Sequence, residues 1–285
     1  MRRVARTRSE RLIVNRVTVG GEGSAVVRRA PDDLIVEEPM SIKLDDTLVA
    51  TTMRTPGHDY ELAAGFCFTE GMLDGAVVRG VRYCADGSAL ASHFNIVTVD
   101  TDGHGPPPTA RLGNVSSSCG WCGNEQLDAL TDRLDPLRPT EAFDLDVLAR
   151  VPDAVAAEQR LFASTGSGHA AAVFDRGGRI ARLREDVGRH NAVDKVVGSM
   201  VLEGLDLGPR SQSTADLGLF VSGRASIEMV QKAWAAGFAA LVAVSAPTAL
   251  AVDAGRRAGL LLAGFVRGDQ FNVYAPERLR APEGS

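Results

Sequence analysis

The chain has 285 residues, of which 45% are hydrophobic and 24% are charged, which are ordinary proportions for a globular protein. Its formal net charge of −5 excludes the chain-wide basic field that nucleic-acid binding requires. The most apolar window, residues 233–247, is interrupted by Gly237 and is shorter than the roughly 18–20 residues of a membrane span. We therefore expect neither a nucleic acid nor a membrane as a partner.

Five arginines lie within the first eleven residues of the chain. The sequence then continues polar through Gly20 and Gly21, without the apolar stretch of a secretory or twin-arginine signal. We therefore expect residues 1–30 to form a flexible basic tail and the protein to be cytoplasmic.

Residues 31–155 are predicted to form a strand-rich N-terminal subdomain. A helix follows Pro56-Gly57, and its apolar face includes Cys67, which predicts a core position for this cysteine. A glycine- and proline-rich loop at residues 100–109 then leads to a pair of cysteines. The strands, recognised by β-branched and alternating apolar residues, are expected at residues 34–36, 47–53 and 94–99.

Residues 156–285 are predicted to form a C-terminal α/β subdomain. Short apolar strands alternate there with helices of about a dozen residues, which is typical of a largely parallel sheet with helices on both faces. Ligands of such sheets bind beyond the carboxyl ends of the strands. The strands are expected at residues 171–174, 180–183, 217–221, 239–244 and 260–266, and the helices at residues 191–201, 226–236 and 248–258.

The chain has four cysteines, too few for a secreted disulfide scaffold of this length. Cys119 and Cys122 form a C-x-x-C pair between serines and glycines, and a helical pattern follows through Leu127 and Leu130. If that helix begins at the pair, the N–H groups at its start favour the thiolate form of a cysteine. The pair is therefore the predicted catalytic centre.

Three other kinds of site use a cysteine pair. A structural zinc site needs two further ligands, and the sequence has no second pair with metal-ligand spacing. A thioredoxin-like oxidoreductase has its pair near the start of its fold, whereas here more than a hundred residues precede it. A zinc deaminase also needs an H-x-E general base, and no histidine here is followed by x-Glu. These three interpretations are less favoured than a reactive cysteine pair. The absence of an H-x-E motif excludes deaminase chemistry but not a deaminase-like fold.

Two glycine-rich loops in the second half are candidate anion sites. Residues 164–169 precede an apolar strand, and residues 184–191 lead into a helix that contains Asp194 and Lys195. Glycines beside hydroxyl groups let backbone N–H groups approach an anion, and arginines add bidentate phosphate contacts. Each loop alone is also compatible with an ordinary turn.

Together with the cysteine pair, these loops give the chain a resemblance to the FdhD family, the formate dehydrogenase accessory sulfurtransferases, from about residue 33 to residue 274. The motifs occur in family order. They are residues 53–57, 65–71, 118–123, 164–166 with 169–171, 184–195, 222–224, 245–248 and 264–267.

The resemblance implies a sulfurtransferase that acts as a sulfur carrier. Such a protein takes persulfide sulfur from a cysteine desulfurase. It passes this sulfur to the molybdenum cofactor, bis-molybdopterin guanine dinucleotide, before insertion into formate dehydrogenase, whose activity requires the transfer. The resemblance also implies a cytidine-deaminase-like α/β fold and a homodimer. By the same comparison, Cys119 carries the persulfide and Cys122 assists it.

The resemblance and the chemistry of the loops also indicate which residues bind the cofactor, or a guanine nucleotide such as GDP in its place. Two alternatives stay open: a chaperone that binds the cofactor without sulfur chemistry, and a zinc-binding deaminase-like protein. The sequence departs from the family pattern at Ser167-Gly168 and at Cys67. The expected cofactor-binding residues are Gly166, His169, Arg184, His190, Ser222, Arg224, Ser245, Thr248, Phe265, Val266, Arg267, Gly268, Asp269 and Gln270.

Overall fold

In the computed structural model of the chain, residues 6–20, 24–84, 94–106, 128, 133–141 and 143–275 are described. These residues form three sheets and six helices in a mixed α/β fold. No helix among them is long and apolar enough to cross a bilayer. The helices are α1 (Asp59–Thr69), α2 (Leu145–Glu158), α3 (Arg160–Thr165), α4 (Arg189–Leu202), α5 (Ile227–Ala236) and α6 (Ala249–Ala258).

The first sheet is an antiparallel hairpin of β1 (Ser9–Val19) and β2 (Ala25–Ile35). This corrects the prediction that residues 1–30 form a flexible tail, because the β-branched residues of the two strands pair in one continuous register. The base of the hairpin is attached to the C-terminal half of the chain, where Arg8 Nη2 donates to the carbonyl oxygen of Glu185 at 3.0 Å.

The second sheet, termed the N-terminal sheet, has the strand order β4-β3-β6-β5. Helix α1 packs on it through Leu62, Phe66 and Cys67. Cys67 is fully buried, which confirms its predicted core position. Burial, and then the negative charge of Asp194, raise the pKa of this thiol. The strands are β3 (Glu38–Leu44), β4 (Thr47–Arg54), β5 (Gly80–Tyr83) and β6 (Ile96–Asp100).

The third sheet, termed the C-terminal sheet, has the order β12-β11-β10-β9-β7-β8. It is mixed rather than largely parallel as predicted. Strands β9, β10 and β11 run parallel, whereas β7, β8 and β12 join antiparallel, because short turns without crossover helices connect β7 to β8 and β11 to β12. The cytidine-deaminase-like fold stays a prediction. The strands are β7 (His169–Phe174), β8 (Ile180–Asp186), β9 (Gly218–Val221), β10 (Ala240–Ala243), β11 (Leu261–Arg267) and β12 (Gln270–Ala275).

Helices cover both faces of the C-terminal sheet, and two buried clusters form its core. Along β7, Ala171 and Val173 pack with α4, α5 and α6, whereas Ala172 and Phe174 pack with α2. This alternation follows from the two-residue period of a strand. Helix α2 crosses the subdomain boundary predicted after residue 155, and its Val155 packs against the C-terminal sheet.

Helices α1 and α4 cross in direct backbone contact and thereby join the N-terminal and C-terminal sheets. A Cβ atom on Gly65 would lie 1.9 Å from the carbonyl oxygen of Asp194, and one on Gly198 would lie 1.8 Å from that of Glu61. Since an interior packed this closely has no space for an added methyl group, the crossing requires glycine at both positions.

Buried ion pairs surround this crossing. Lys232 Nζ of α5 donates to Asp194 Oδ1 at 2.8 Å, to Glu70 Oε1 at 3.0 Å and to Thr69 Oγ1 at 2.9 Å. Burial alone would lower the pKa of Lys232, but Asp194 and Glu70 outweigh it and raise the pKa above its ordinary value. The ammonium group is therefore charged, and it connects α1, α4 and α5.

A second buried pair lies at the start of α4. Lys195 Nζ is 2.6 Å from Asp186 Oδ2 and donates to the carbonyl oxygen of Thr55 at 2.8 Å. Asp186 Oδ1 accepts from Gly188 N at 2.8 Å and from Asn191 Nδ2 at 2.9 Å. These bonds hold the first turn of α4 at a fixed position against the end of β8.

Candidate functional site: the carboxyl ends of the central strands

The predicted catalytic pair, Cys119 and Cys122, lies outside the described residues, and its role stays a prediction. The chain that follows is described at Asp128 and again from Arg133. Asp128 Oδ1 accepts from Arg257 Nη1 at 3.0 Å, and Arg133 Nη1 donates to the carbonyl oxygen of Glu70 at 2.9 Å. These contacts attach the chain after the cysteine segment to the ends of α6 and α1.

The predicted loops of the second half converge at one edge of the C-terminal sheet. We term this edge the strand-end face and define it as residues 169, 189–190, 222–226, 245–248 and 264–267. Backbone hydrogen bonds join its loops directly. Ala225 N donates to Ala246 O, Thr248 N donates to Ala225 O, and Phe265 N donates to Ser245 O, each at 3.2 Å.

His169 and Ser222 meet at the centre of the strand-end face. The Ser222 hydroxyl lies 3.4 Å from His169 Nδ1 and accepts from Ala170 N at 2.9 Å. A Cβ atom on Gly223 would be 3.5 Å from the His169 ring and 3.7 Å from Arg189 Cδ, so both side chains flank this glycine. Burial, and then the charge of Arg189, lower the pKa of His169, which keeps the ring neutral at neutral pH.

Three polar atoms of the strand-end face are buried without a hydrogen-bond partner among the described residues: Arg189 Nε, His190 Nε2 and Ser226 Oγ. Burial, followed by the charges of Lys232 and Arg189, lowers the pKa of His190 to about 4. A buried polar group that lacks a partner costs about 1–3 kcal/mol. Atoms of this kind are expected where a ligand supplies the missing partner.

The first turns of two helices also reach the strand-end face without a side-chain cap. Helix α4 follows Gly188, and α5 follows Ser226, whose hydroxyl makes no capping hydrogen bond. The free N–H groups at such ends attract anions. In α6, by contrast, Thr248 Oγ1 accepts from Ala251 N at 3.2 Å, so this predicted ligand hydroxyl caps its own helix.

The predicted segment from Phe265 to Gln270 forms the end of β11 and its turn into β12. Phe265 has a positive φ of 56° and a half-exposed side chain, next to a β-bulge between Gly264 and Arg267. A bulky residue in this left-handed conformation costs free energy, and such strain is common at ligand sites. The Val266 side chain is fully buried in the core, so only its backbone can face a ligand.

The remaining members of this group are exposed. Arg224 and Arg267 have no ion pair among the described residues, so both guanidinium groups are available to an anion. Gly166 ends α3 with a φ of 65° and is exposed. The other exposed residues of the group are Gly268, Asp269 and Gln270.

Arg184 is the predicted ligand that the structure places in a different contact. Its guanidinium binds both carboxylate oxygens of Glu61, at 2.5 and 2.8 Å. Burial would raise the pKa of Glu61, but the hydrogen bonds from Arg184 and His58 outweigh it and lower the pKa to about 2. This arginine joins β8 to α1. A cofactor contact at Arg184 stays a prediction, and it would compete with this ion pair.

Two residues of the site were missed by sequence reasoning. Arg189 belongs to the second glycine-rich loop, but nothing in the sequence distinguishes it from an exposed arginine. The position of Ser226 before a helix predicts an ordinary N-cap, and only the structure shows that its hydroxyl makes no capping hydrogen bond. The positions of both before a helix are the signal that could have indicated an anion site.

Known proteins similar to this chain support the assignment to a family. The model of the FdhD/NarQ family matches residues 35–280. The sulfur carrier protein FdhD of Streptomyces coelicolor is 45% identical over 262 residues, covering 87% of this chain and 89% of that protein. The protein of the same name from Corynebacterium efficiens is 40% identical over 282 residues, covering 94% and 98%.

A solved structure supports the fold. The crystal structure of a putative formate dehydrogenase accessory protein from Desulfotalea psychrophila matches with a TM-score of 0.69 and 24% identity, covering 95% of this chain and 99% of that one. Because the family model spans most of the chain and the curated relatives are at least 40% identical, the chain belongs to the FdhD/NarQ family.

Proposed function

We propose that this protein is a sulfurtransferase that carries a persulfide on Cys119 and delivers its sulfur to the molybdenum cofactor. The cofactor, bis-molybdopterin guanine dinucleotide, is the substrate, and formate dehydrogenase is its destination. Two observations support this proposal: the relatives are sulfur carrier proteins, and the solved neighbour is a putative formate dehydrogenase accessory protein. We further propose a cysteine desulfurase as sulfur donor, a homodimer and a cytoplasmic location.

The observation that carries the cofactor half of the proposal is the set of unpartnered buried atoms on the strand-end face. Phosphate oxygens of a dinucleotide would accept hydrogen bonds from Arg189 Nε and from the uncapped N–H groups of α4 and α5. Arg224 and Arg267 add positive charge at the rim, and the exposed Phe265 ring offers a surface for a base to stack on.

The proposed loading step begins with attack by the Cys119 thiolate on the outer sulfur of the desulfurase persulfide. A new S–S bond forms on Cys119, the donor's S–S bond breaks, and the desulfurase cysteine leaves as a thiolate. Loading therefore needs no oxidant or reductant.

Release of the sulfur as sulfide requires two electrons. Attack of the Cys122 thiolate on Cys119 Sγ supplies them, because it forms a Cys119–Cys122 disulfide and expels the outer sulfur towards the cofactor. A dithiol reductant then restores both thiols. The arginines and helix ends of the strand-end face hold the cofactor but take no part in this exchange.

The loading step is tested by incubating the full chain with a cysteine desulfurase and cysteine, followed by intact-mass measurement. We expect a gain of one sulfur atom that a reductant reverses. Cys119→Ala should abolish the gain, whereas Cys67→Ala should retain it, because burial keeps the Cys67 thiol protonated and inaccessible. No gain on the wild type, with an active desulfurase, would contradict the carrier function.

The cofactor site is tested by titration with GDP as a fragment of the guanine dinucleotide. We expect Arg189→Ala to weaken binding by roughly tenfold or more, the loss of a charge-assisted hydrogen bond. Arg179→Ala is the matched control, since Arg179 is exposed on the β7–β8 turn and pairs with Asp175. Equal affinities of both variants and the wild type would place the cofactor elsewhere.

A cofactor chaperone without sulfur chemistry is the second candidate function. The unpartnered atoms of the strand-end face support cofactor binding whether or not the cysteines react. It predicts that Cys119→Ala still restores activity to a formate dehydrogenase in cells that lack this protein. The sulfur-carrier proposal predicts that the same variant restores none.

A further inference from the structure

The half-buried ring of His169 has one nitrogen held by the protein and one left open. Its Nδ1 atom lies 3.4 Å from the Ser222 hydroxyl, which also accepts from Ala170 N at 2.9 Å. Its Nε2 atom makes no hydrogen bond with any described residue. The Nε2 side of the ring is therefore available to a ligand on the strand-end face.

Positive charge surrounds this ring. Arg189 lies across Gly223 from it, since a Cβ atom on Gly223 would be 3.5 Å from the ring and 3.7 Å from Arg189 Cδ. Helix α4 begins at Arg189, and its uncapped N–H groups add partial positive charge. Arg224 at the rim is exposed and has no ion pair among the described residues.

The carboxylate beside the ring is already bound to a cation. Asp186 of β8 is the cross-strand partner of His169, and its Oδ2 atom lies 2.6 Å from Lys195 Nζ. Among the described residues, Arg189 and Asp186 are the charged groups that act on the ring, and β9 contributes the uncharged Ser222. Asp186 therefore offsets only part of the surrounding positive charge.

These surroundings favour the neutral ring while no anion is bound. Burial, and then the charge of Arg189, lower the pKa of His169, and Asp186 opposes them only in part. Phosphate groups on the strand-end face would reverse the sign of the local charge. An anion within about 4–6 Å of a histidine favours its protonated form. Phosphate binding and protonation of the ring therefore support each other.

We propose that His169 takes up one proton from the solvent when the phosphates of the cofactor bind, and returns it when the cofactor leaves. This proton uptake rests on the cofactor binding proposed above and adds a proton to that equilibrium. The imidazolium carries N–H on both nitrogens. One donates to Ser222 Oγ, whose two lone pairs also accept from Ala170 N, and the other donates to a phosphate oxygen.

The uptake gives cofactor binding a defined dependence on pH. Binding strengthens as the pH falls through the pKa of His169 in the complex, and it levels off below the pKa of the free protein. A pKa that binding raises by about one unit strengthens binding by about tenfold. Because the pKa of the free protein lies below the ordinary histidine value, the gain should appear between about pH 8 and about pH 6.

His190 is the other histidine of the strand-end face, and its surroundings keep it neutral in this range. Burial, followed by the charge of Lys232, lowers its pKa to about 4. Lys232 is fixed by its buried ion pair with Asp194, so a ligand on the strand-end face leaves this positive charge in place. We therefore assign the proton to His169.

The affinity is tested by isothermal titration calorimetry of the full chain with GDP-mannose. Both phosphates of this probe are diesters, so the probe itself does not titrate near neutral pH. We expect binding to be roughly tenfold tighter at about pH 6 than at about pH 8. Titrations in buffers of different ionisation enthalpy should show that the complex takes up protons from the buffer.

Two variants assign this pH dependence to one residue. His169→Gln has a polar side chain that does not titrate, so its binding should change little with pH and take up no proton. His104→Gln is the matched control, because His104 is exposed in the turn after β6. It should show the pH dependence of the wild type.

The proton is located by NMR, from the Cε1–H signals of the histidines during pH titration. The signal that His169→Gln removes belongs to His169. It should titrate at a higher pH with GDP-mannose bound than in the free protein. A change confined to another histidine would overturn the assignment to His169.

The outcomes separate the proton uptake from the cofactor binding on which it rests. Equal binding of GDP-mannose by the wild type at both pH values would overturn the proton uptake and leave the cofactor site in place. A His169→Gln variant with the pH dependence of the wild type would do the same. A wild type that binds no GDP-mannose at either pH would overturn both the uptake and the proposed cofactor binding.

Discussion

The α1–α4 interface and the strand-end face both contain buried polar groups beside helices α4 and α5, but the two regions differ in whether these groups have partners. At the interface, Lys232 has three hydrogen-bonded partners and Arg184 binds both oxygens of Glu61. On the strand-end face, Arg189 Nε and His190 Nε2 have none among the described residues. Paired charges in the first region indicate a structural role, whereas the unpaired polar atoms of the second are those that the proposed cofactor would contact.

This contrast has an energetic consequence. Removing one partner of a buried ion pair leaves the other charge uncompensated, which is far more costly than removing a group that has no partner. Substitutions at the interface should therefore act on stability, and those on the strand-end face should act on binding.

The largest expected effect is that of Lys232→Met, which removes the cation that the buried Asp194 carboxylate binds. We expect the free energy of unfolding to fall by about 3–5 kcal/mol, measured by urea denaturation. The double variant Lys232→Met/Asp194→Asn should recover part of this loss, because it also removes the buried negative charge of Asp194. A single variant as stable as the wild type would refute the structural role of the pair.

Gly198→Ala should have the second-largest effect on stability. Its Cβ atom would lie 1.8 Å from the carbonyl oxygen of Glu61, so α1 and α4 must separate. The expected loss is at least about 1–3 kcal/mol in thermal or chemical unfolding. Gly80→Ala is the control with no atom within 4 Å of its Cβ and no positive φ, and it should be close to neutral. Equal stabilities of the two variants would argue against the close crossing.

The ion pair between Glu61 and Arg184 should appear as a smaller, pH-dependent effect. The pKa of Glu61 in the folded state is about 2, below its usual value of 4.5. Its stabilising contribution is therefore complete above pH 4.5 and is lost as the pH falls towards 2. We expect this contribution to be on the order of 1 kcal/mol after solvent screening. In Glu61→Gln, unfolding curves measured across that range should show a flatter acid dependence, and an unchanged slope would contradict the assignment.

Arg224→Ala should have the smallest effect on stability, within about 0.5 kcal/mol, because its side chain is exposed and has no ion pair among the described residues. The same variant should weaken GDP binding and make it less sensitive to salt. An Arg224→Ala variant that is destabilised as strongly as the interface variants would contradict a binding role of the strand-end face separate from stability.

Much of the C-terminal half could be predicted from the sequence. The predicted strands and helices are observed within a few residues, from β7 through α4 to β11. The spacing of apolar residues predicts an element when one or both of its faces are buried, and the strands and helices of the C-terminal half are all buried in this way. The N-terminal hairpin could not be predicted in this way, because most of its apolar residues are exposed and the pattern has no buried face to report.

For the candidate site, sequence motifs indicated the loops but not the contacts of the individual side chains within them. The loops of His169, Ser222 and Phe265 were identified by their motifs, and the structure brings them together at the strand ends. Arg184 and Arg189 could not be distinguished by sequence, since both are arginines of the same loop. Only the fold places one against Glu61 and leaves the other beside Gly223.

The sequence by itself determined the motifs of this protein: a cysteine pair with a predicted role in sulfur transfer, the loops of the FdhD/NarQ family, and an alternation of strands and helices. The tertiary structure decided which polar groups are paired and which are left open. It also decided the direction of the strands and the exposure of the hairpin. The physical reason is that a partner such as Glu61, 123 residues from Arg184, becomes a neighbour only through the crossing of two helices.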